Sequence, residues 1–208
     1  DLAITKELCG TLTYTYKIDL TNSTEIKSQI ALMTEQVGKL NGFVHCAGRP
    51  YVAPLKVLDE NKALDIYKLN SYAAIELAKC IVNKKVYAGE YGSIVLISSV
   101  YGVVGSAANV GYAMTKGAIQ SITKALAIEL ASKKIRVNCI VPGFVKTEMA
   151  DEIHSMFPTE YQETIEKMHP LGWGCPDDIA AGIAYLFSDM SKWVTGSILT
   201  IDGGFTAQ

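Results

Sequence analysis

Two stretches decide how this chain is read: GSIVLISS at residues 92–99 and YAMTKGAIQSITKALAIELAS at residues 112–132. The first is an apolar run of strand length that ends in two serines. The second repeats its apolar residues with helical spacing. A strand that is nearly continuous in apolar residues is one buried on both faces, as happens in a parallel sheet between helical layers. Working outward, similar runs occur at residues 13–18, 42–47, 136–141 and 197–201, with 93–97 as the core of the first stretch. Helical periodicity fills residues 23–38, 60–85 and 176–188. Asn22 followed by Glu25, and Asp59 before Glu60, are helix-start signals. Strands alternating with helices predict βαβ units in an open, doubly wound, mostly parallel α/β sheet. With 208 residues and no repeat or linker, the expectation is a single domain over residues 1–208.

Composition narrows the function classes. The chain is 49% hydrophobic and 19% charged, too apolar for a disordered protein. Nineteen basic residues face 21 acidic ones, and Arg49 and Arg136 are the arginines, so no basic stripe is available for nucleic acid. No apolar run reaches the length of a membrane span, and the expectation from the first residues is a chain without a secretory signal. The five cysteines, Cys9, Cys46, Cys80, Cys139 and Cys175, are widely spaced and form no Cys-x-x-Cys or His/Cys cluster. They suggest neither a disulfide framework nor a zinc site, and Cys46 and Cys139 read as small buried hydrophobes of a reducing, cytoplasmic setting.

The chemistry-bearing residues are Ser99, Tyr112 and Lys116. Tyr112 and Lys116 are four apart and so share a helix face. An ammonium beside a phenol favours the phenolate, and the expectation is that Lys116 lowers the Tyr112 pKa toward neutrality. Such a phenol gives or takes a proton near physiological pH. Ser99 stands at the carboxyl end of a strand, the edge of an open α/β sheet where ligands bind. Alone, a Tyr-x-x-x-Lys pair is as readily a solvated helix pair.

The pattern GSIVLISS followed by Tyr112-Ala-Met-Thr-Lys116 resembles the short-chain dehydrogenase/reductase family, closest in flavour to its 3-oxoacyl-carrier-protein reductases. Further segments agree in order and spacing over essentially the whole chain. Asp19-Leu20 resembles the family's adenine-contacting position, and His45-Cys46-Ala47-Gly48 its Asn-Asn-Ala-Gly turn. Asn70 resembles the helix Asn of the catalytic tetrad. The strand from Arg136 to Pro142-Gly143, with Val145 and Thr147 after it, resembles the segment that holds the nicotinamide carboxamide. Thr195-Gly196 through Asp202-Gly203-Gly204 is similar to the family's C-terminal strand and turn.

The resemblance implies a Rossmann-like fold and reversible NAD- or NADP-dependent hydride transfer between nicotinamide and a carbonyl or secondary alcohol. The substrate is a small molecule, with a 3-oxoacyl thioester as one candidate. Asn70, Ser99, Tyr112 and Lys116 are the implied catalytic set. Ser99 would polarise the substrate oxygen and Tyr112 protonate it. Lys116 would also hold the nicotinamide ribose, and Asn70 would position a water that relays protons to Lys116. Asp19, Leu20, Ala47, Gly48, Tyr112, Lys116, Pro142, Gly143, Val145 and Thr147 are the implied cofactor contacts. A non-catalytic binding protein on the same fold is the alternative, and a nucleotide-dependent methyltransferase a more distant rival.

Two departures from the family pattern stand out. His45-Cys46 replaces the usual Asn pair; a neutral imidazole keeps a donor and an acceptor, whereas a thiol offers only weak ones. No Gly-x-Gly-x-x-Gly or Thr-Gly-x-x-x-Gly-x-Gly occurs, so the N-terminal strand and its Gly-rich phosphate loop are expected to be missing from these residues. Residues 147–177 mix charges, Met149, Met156, Met168, Phe157, Tyr161 and Trp173, and read as a substrate lid. His154 and His169 read as polar groups of that lid, and Trp173 and Trp193 as buried packing. The helix at 112–132 is apolar on nearly all sides, which predicts helix packing in a homodimer; the family resemblance extends this to a homotetramer joined near Ile198.

Overall fold

The computed structural model describes residues 13–148, 150 and 159–208. Cys9, Met149, His154, Met156 and Phe157 lie outside the described residues. Among the described residues, strands β1 (Gly42–His45), β2 (Gly92–Ile97), β3 (Ile135–Pro142) and β4 (Ile198–Ile201) form one sheet in the order β1-β2-β3-β4, every pair parallel. The helices are α1 (Ser23–Val37), α2 (Glu60–Tyr67), α3 (Ala73–Ile81), α4 (Val110–Leu130), α5 (Thr159–Lys167) and α6 (Pro176–Phe187).

Alternation along the strands sorts the core into two layers. Ile94 and Leu96 of β2, with Val137, Cys139 and Val141 of β3, pack with Ile26 and Ile30 of α1, Ala74 and Ala78 of α3, and Ile119 and Ala127 of α4. Val95 and Ile140 point the other way, onto Leu186, Ile179 and Ile183 of α6. Successive side chains of a strand face opposite sides, so a continuous apolar run demands helices on both. The doubly wound arrangement follows from that. Ser93 Oγ donates to Leu186 O at 2.8 Å, tying α6 to the central strand.

Three expectations need correction. Residues 13–18 are not a strand of the sheet; a strand exists only through its ladder, and here Ile18 and Leu20 instead pack beside the first core layer. The helix read at 60–85 is interrupted by a π-turn at Lys68–Tyr72, which separates α2 from α3. Trp193, read as buried, is 97% exposed. Within the segment read as a lid, α5 and the turn before α6 are described. Gly174 N donates to Phe144 O at 3.0 Å and Lys146 N to Gly174 O at 2.9 Å, so this segment is laced to the loop after β3.

The turn that follows β2 rests directly on α4. Ser98 Oγ donates to Lys116 O at 2.7 Å. A Cβ on Gly102 would lie 2.7 Å from the Lys116 carbonyl carbon and 2.9 Å from Gly117 N, closer than side chains approach backbone. Gly102→Ala is therefore expected to push the Ser99 turn away from α4 and cost about 1–3 kcal/mol of stability, read as a lowered urea midpoint. An unchanged midpoint would show that the turn yields without cost.

Candidate active site

At the carboxyl ends of β1, β2 and β3 lies a cavity of about 420 Å³, lined mostly by apolar groups. Gly48, Ser99, Tyr112 and Lys116 line it on one side. Pro142, Gly143, Val145 and Thr147 line it on the other. Four expected cofactor or catalytic positions are not in its wall. Asn70 sits behind it, fully buried. Ala47 adjoins Gly48. Asp19 is exposed and binds its own turn, accepting from Thr21 N at 2.9 Å and Thr21 Oγ1 at 2.7 Å. Leu20 packs on the core.

The local sequence explains the positions. Ser99 leaves β2 where the apolar run ends, and its Oγ accepts from Tyr101 N at 3.3 Å to start a short 3-10 turn. Tyr112 and Lys116 lie in the first turns of α4, with the Lys116 ammonium 5.6 Å from the Tyr112 ring centroid. Lys116 Nζ donates to Ile97 O at 2.9 Å, which anchors it to the end of β2. The Ser99 hydroxyl is close enough to the Tyr112 phenol to favour its ionised form.

Behind the wall, the Asn70 amide is fully engaged. Its Oδ1 accepts from Arg49 N at 2.8 Å; its Nδ2 donates to Arg49 O at 2.9 Å and to Thr115 Oγ1 at 3.1 Å. Ser71 Oγ donates to Thr115 O at 2.8 Å. Thr115 and Ser71 were not singled out from the sequence. A small hydroxyl between Tyr112 and Lys116 is the available signal. The cavity wall also includes Arg49, Val52, Asn109, Phe144 and Ile179, which the sequence motifs did not single out.

Electrostatics overturn one expectation. Burial pushes the Tyr112 phenol up to about 12, with the Ser99 hydroxyl pulling more weakly the other way. Burial pushes Lys116 down to about 8. Lys116 does not lower Tyr112, because its ammonium is held on Ile97 O and lies toward the ring. Desolvation disfavours the charged form of each group and dominates both. At neutral pH the phenol keeps its proton.

Three further readings change. Cys46 is exposed rather than a buried hydrophobe, and lines the cavity. His169, read as a surface or lid polar group, is 3% exposed: its Nδ1 lies 2.8 Å from Ile165 O, and Phe144 N donates to its Nε2 at 3.2 Å. Trp173 is half-buried against Phe144.

The residues present fit a nicotinamide nucleotide. A Cβ on Gly48 would approach Asn70 Oδ1 to 3.2 Å and Lys116 Nζ to 3.5 Å, so the missing side chain leaves open the approach to the ammonium. A Cβ on Gly143 would meet Asp202 Cα at 2.8 Å, which keeps the opposite wall bare.

His45 is buried beneath this site, and its pKa is lowered first by burial and then by the Lys116 charge, while carbonyls of Asn70 and Leu69 pull it upward. The folded imidazole thus refuses a proton that the unfolded one accepts. Its effect on stability is absent above about pH 6.5 and becomes a loss as pH falls below that value. His45→Gln is expected to flatten the fall in unfolding free energy between about pH 7 and pH 5. Parallel curves for parent and variant would assign that loss elsewhere.

Known proteins resemble this chain in sequence and in fold. A family profile described as enoyl-(acyl carrier protein) reductase matches residues 3–206. The 3-oxoacyl-(acyl-carrier-protein) reductase of Thermotoga maritima is 32% identical over 190 residues, which cover 91% of this chain and 75% of that protein. The crystal structure of a putative short-chain dehydrogenase/reductase from Burkholderia xenovorans superposes with a TM-score of 0.87 at 28% identity, covering 93% of this chain and 75% of the other. A 4-hydroxyisoleucine dehydrogenase complexed with NADH superposes with a TM-score of 0.82 at 31% identity, covering 93% and 79%.

Proposed function

The chain belongs to the short-chain dehydrogenase/reductase family and is an NAD(P)-dependent oxidoreductase, and from that premise we propose that it reduces the keto group of a 3-oxoacyl thioester. The observation that carries the reading is that Ser99, Tyr112 and Lys116, the last two one helical turn apart, line one mostly apolar cavity. The described lining contains Arg49 and Lys116 but no carboxylate, which suits a neutral or anionic substrate over a cation. The relative from Thermotoga maritima supports the thioester by its name.

Bound nicotinamide supplies the hydride. The protein supplies the rest. Ser99 Oγ donates to the substrate oxygen and fixes it beside Tyr112. Tyr112 Oη, protonated at neutral pH, gives its proton to that oxygen as negative charge develops there. A phenol at about 12 holds the proton until an alkoxide, a stronger base, forms beside it. Lys116 offers its remaining N–H donors to the nucleotide's ribose, while the Asn70 amide sets the loop and helix on either side of Lys116. Asp19 and Leu20 serve the adenine end, and Ala47, Pro142, Gly143, Val145 and Thr147 contact the nicotinamide end. Thr147, Ala150 and Pro176, within the segment read as a lid, border the space for the substrate. Free thiols at Cys46, Cys80, Cys139 and Cys175 fit a reducing, cytoplasmic setting. Among the described residues no helix is long and apolar enough to cross a membrane.

Tyr112→Phe tests the chemistry. Turnover of a short 3-oxoacyl thioester is expected to fall by roughly 10²–10⁴-fold, with cofactor affinity and unfolding midpoint nearly unchanged. Turnover within tenfold of the parent would remove Tyr112 from the reaction.

Assembly is part of the same reading. Met114, Ser121, Ala125 and Ile128 follow one exposed face of α4, and Ile128 is 81% exposed. Ile122 and Leu126 pack instead against their own subunit's core, so a charge there would damage the monomer. A homodimer through α4, paired into a tetramer through β4, covers the exposed face. Ile128→Asp is expected to halve the mass seen by sedimentation without lowering the unfolding midpoint of the subunit. A monomeric parent at micromolar concentration would end this reading.

A further inference from the structure

The π-turn at Lys68–Tyr72 leaves backbone groups that another element must satisfy. A π-turn breaks the regular helical ladder, so carbonyls at its edge are presented to partners outside the helix. The Nε2 of His45, at the end of β1, lies 3.1 Å from Leu69 O and 3.3 Å from Asn70 O. Both partners are acceptors, so Nε2 carries the hydrogen and shares it, and Nδ1 is the lone-pair nitrogen of a neutral ring. His45 is 2% exposed and Asn70 is fully buried, so bulk water does not reach these carbonyls.

We propose that His45 is a positioning residue of the active site: its Nε2–H holds the π-turn in the register from which the Asn70 amide reaches Arg49 and Thr115. The inference rests on the proposed reduction, and it adds a residue that touches neither the reacting oxygen nor the nucleotide. The chain of contacts is continuous. His45 sets the backbone of Asn70; the Asn70 amide sets both backbone groups of Arg49 and, through Thr115, the helix that carries Tyr112 and Lys116. A side-chain donor must extend from β1 to the helix to do this. Glutamine places its amide nitrogen the same number of bonds from Cβ as His Nε2, whereas asparagine falls one bond short.

The test compares His45→Phe, His45→Gln and His45→Asn with the parent. It uses steady-state kinetics with a short 3-oxoacyl thioester and amide hydrogen exchange across residues 68–72. Phe keeps a ring but strands two buried carbonyls, so kcat is expected to fall roughly tenfold to a hundredfold with KM within about threefold. Exchange at residues 68–72 should quicken. Gln should restore both within about threefold, and Asn should not, because its donor is too short. If Phe does not fold, the contrast between Gln and Asn decides. A Phe variant with parental kcat and exchange, or Gln and Asn variants that behave alike, would overturn the proposal. Exchange needs no turnover: a parent inactive on carbonyl substrates counts against the proposed function, while protection at residues 68–72 still decides the role of His45.

Discussion

The buried amide of Asn70 is the interaction on which the catalytic wall depends. A fully buried side-chain amide offers two donors and an acceptor with two lone pairs, and leaving them unmade costs more than making them gains. Here three strong contacts run to two different elements: the backbone N–H and C=O of Arg49 after β1, and the Thr115 hydroxyl of α4. The loop after β1 and the helix bearing Tyr112 and Lys116 are thereby set against each other through one residue. The π-turn brings Asn70 to that junction. Regular helical geometry through residues 68–72 would rotate the side chain to another face.

With the wall fixed, low polarity does the tuning. The cavity is mostly apolar, and Tyr112 and Lys116 in its wall move in opposite directions for the same reason. Desolvation penalises phenolate and ammonium alike, so Tyr112 rises to about 12 and Lys116 falls to about 8. A phenol held protonated in an apolar wall is suited to giving its proton to a stronger base that forms beside it. The expected mutual stabilisation of phenolate and ammonium requires the ammonium to face the phenolic oxygen. In this structure the Ile97 carbonyl holds it instead.

Much of this was legible in the sequence because apolar runs that need burial on both sides leave few architectures. The strands at Gly42–His45, Gly92–Ile97, Ile135–Pro142 and Ile198–Ile201 and the helices at Ser23–Val37, Val110–Leu130 and Pro176–Phe187 follow the periodicity closely. The spacing of Ser99, Tyr112 and Lys116 also located one wall of the cavity. The π-turn was not legible: a single extra residue in a helical turn leaves the apolar spacing on either side nearly unchanged. Residues 13–18 have strand-like composition, yet a strand is defined by a neighbour's hydrogen bonds and not by its own residues. The burial of His169 escaped for a related reason. Its value lies in accepting from Phe144 N, and an acceptor role leaves no composition signal.

The two walls of the cavity are held by different means, and that difference divides chemistry from specificity. On the Tyr112 side, buried amide, hydroxyl and carbonyl groups lock helix to loop, with little freedom to vary without stranding a partner. On the other side, Gly143 lies against Asp202, whose carboxylate accepts from Gly204 N, Thr206 N and Thr206 Oγ1. Phe144 is then gripped by the rings of Tyr101, Trp173, His169 and Phe205. Aromatic packing tolerates exchange of one ring for another far better than a saturated hydrogen-bond network tolerates loss of one donor. The side chains that can be exchanged therefore gather around Phe144 and Ile179, on the wall that faces Tyr112.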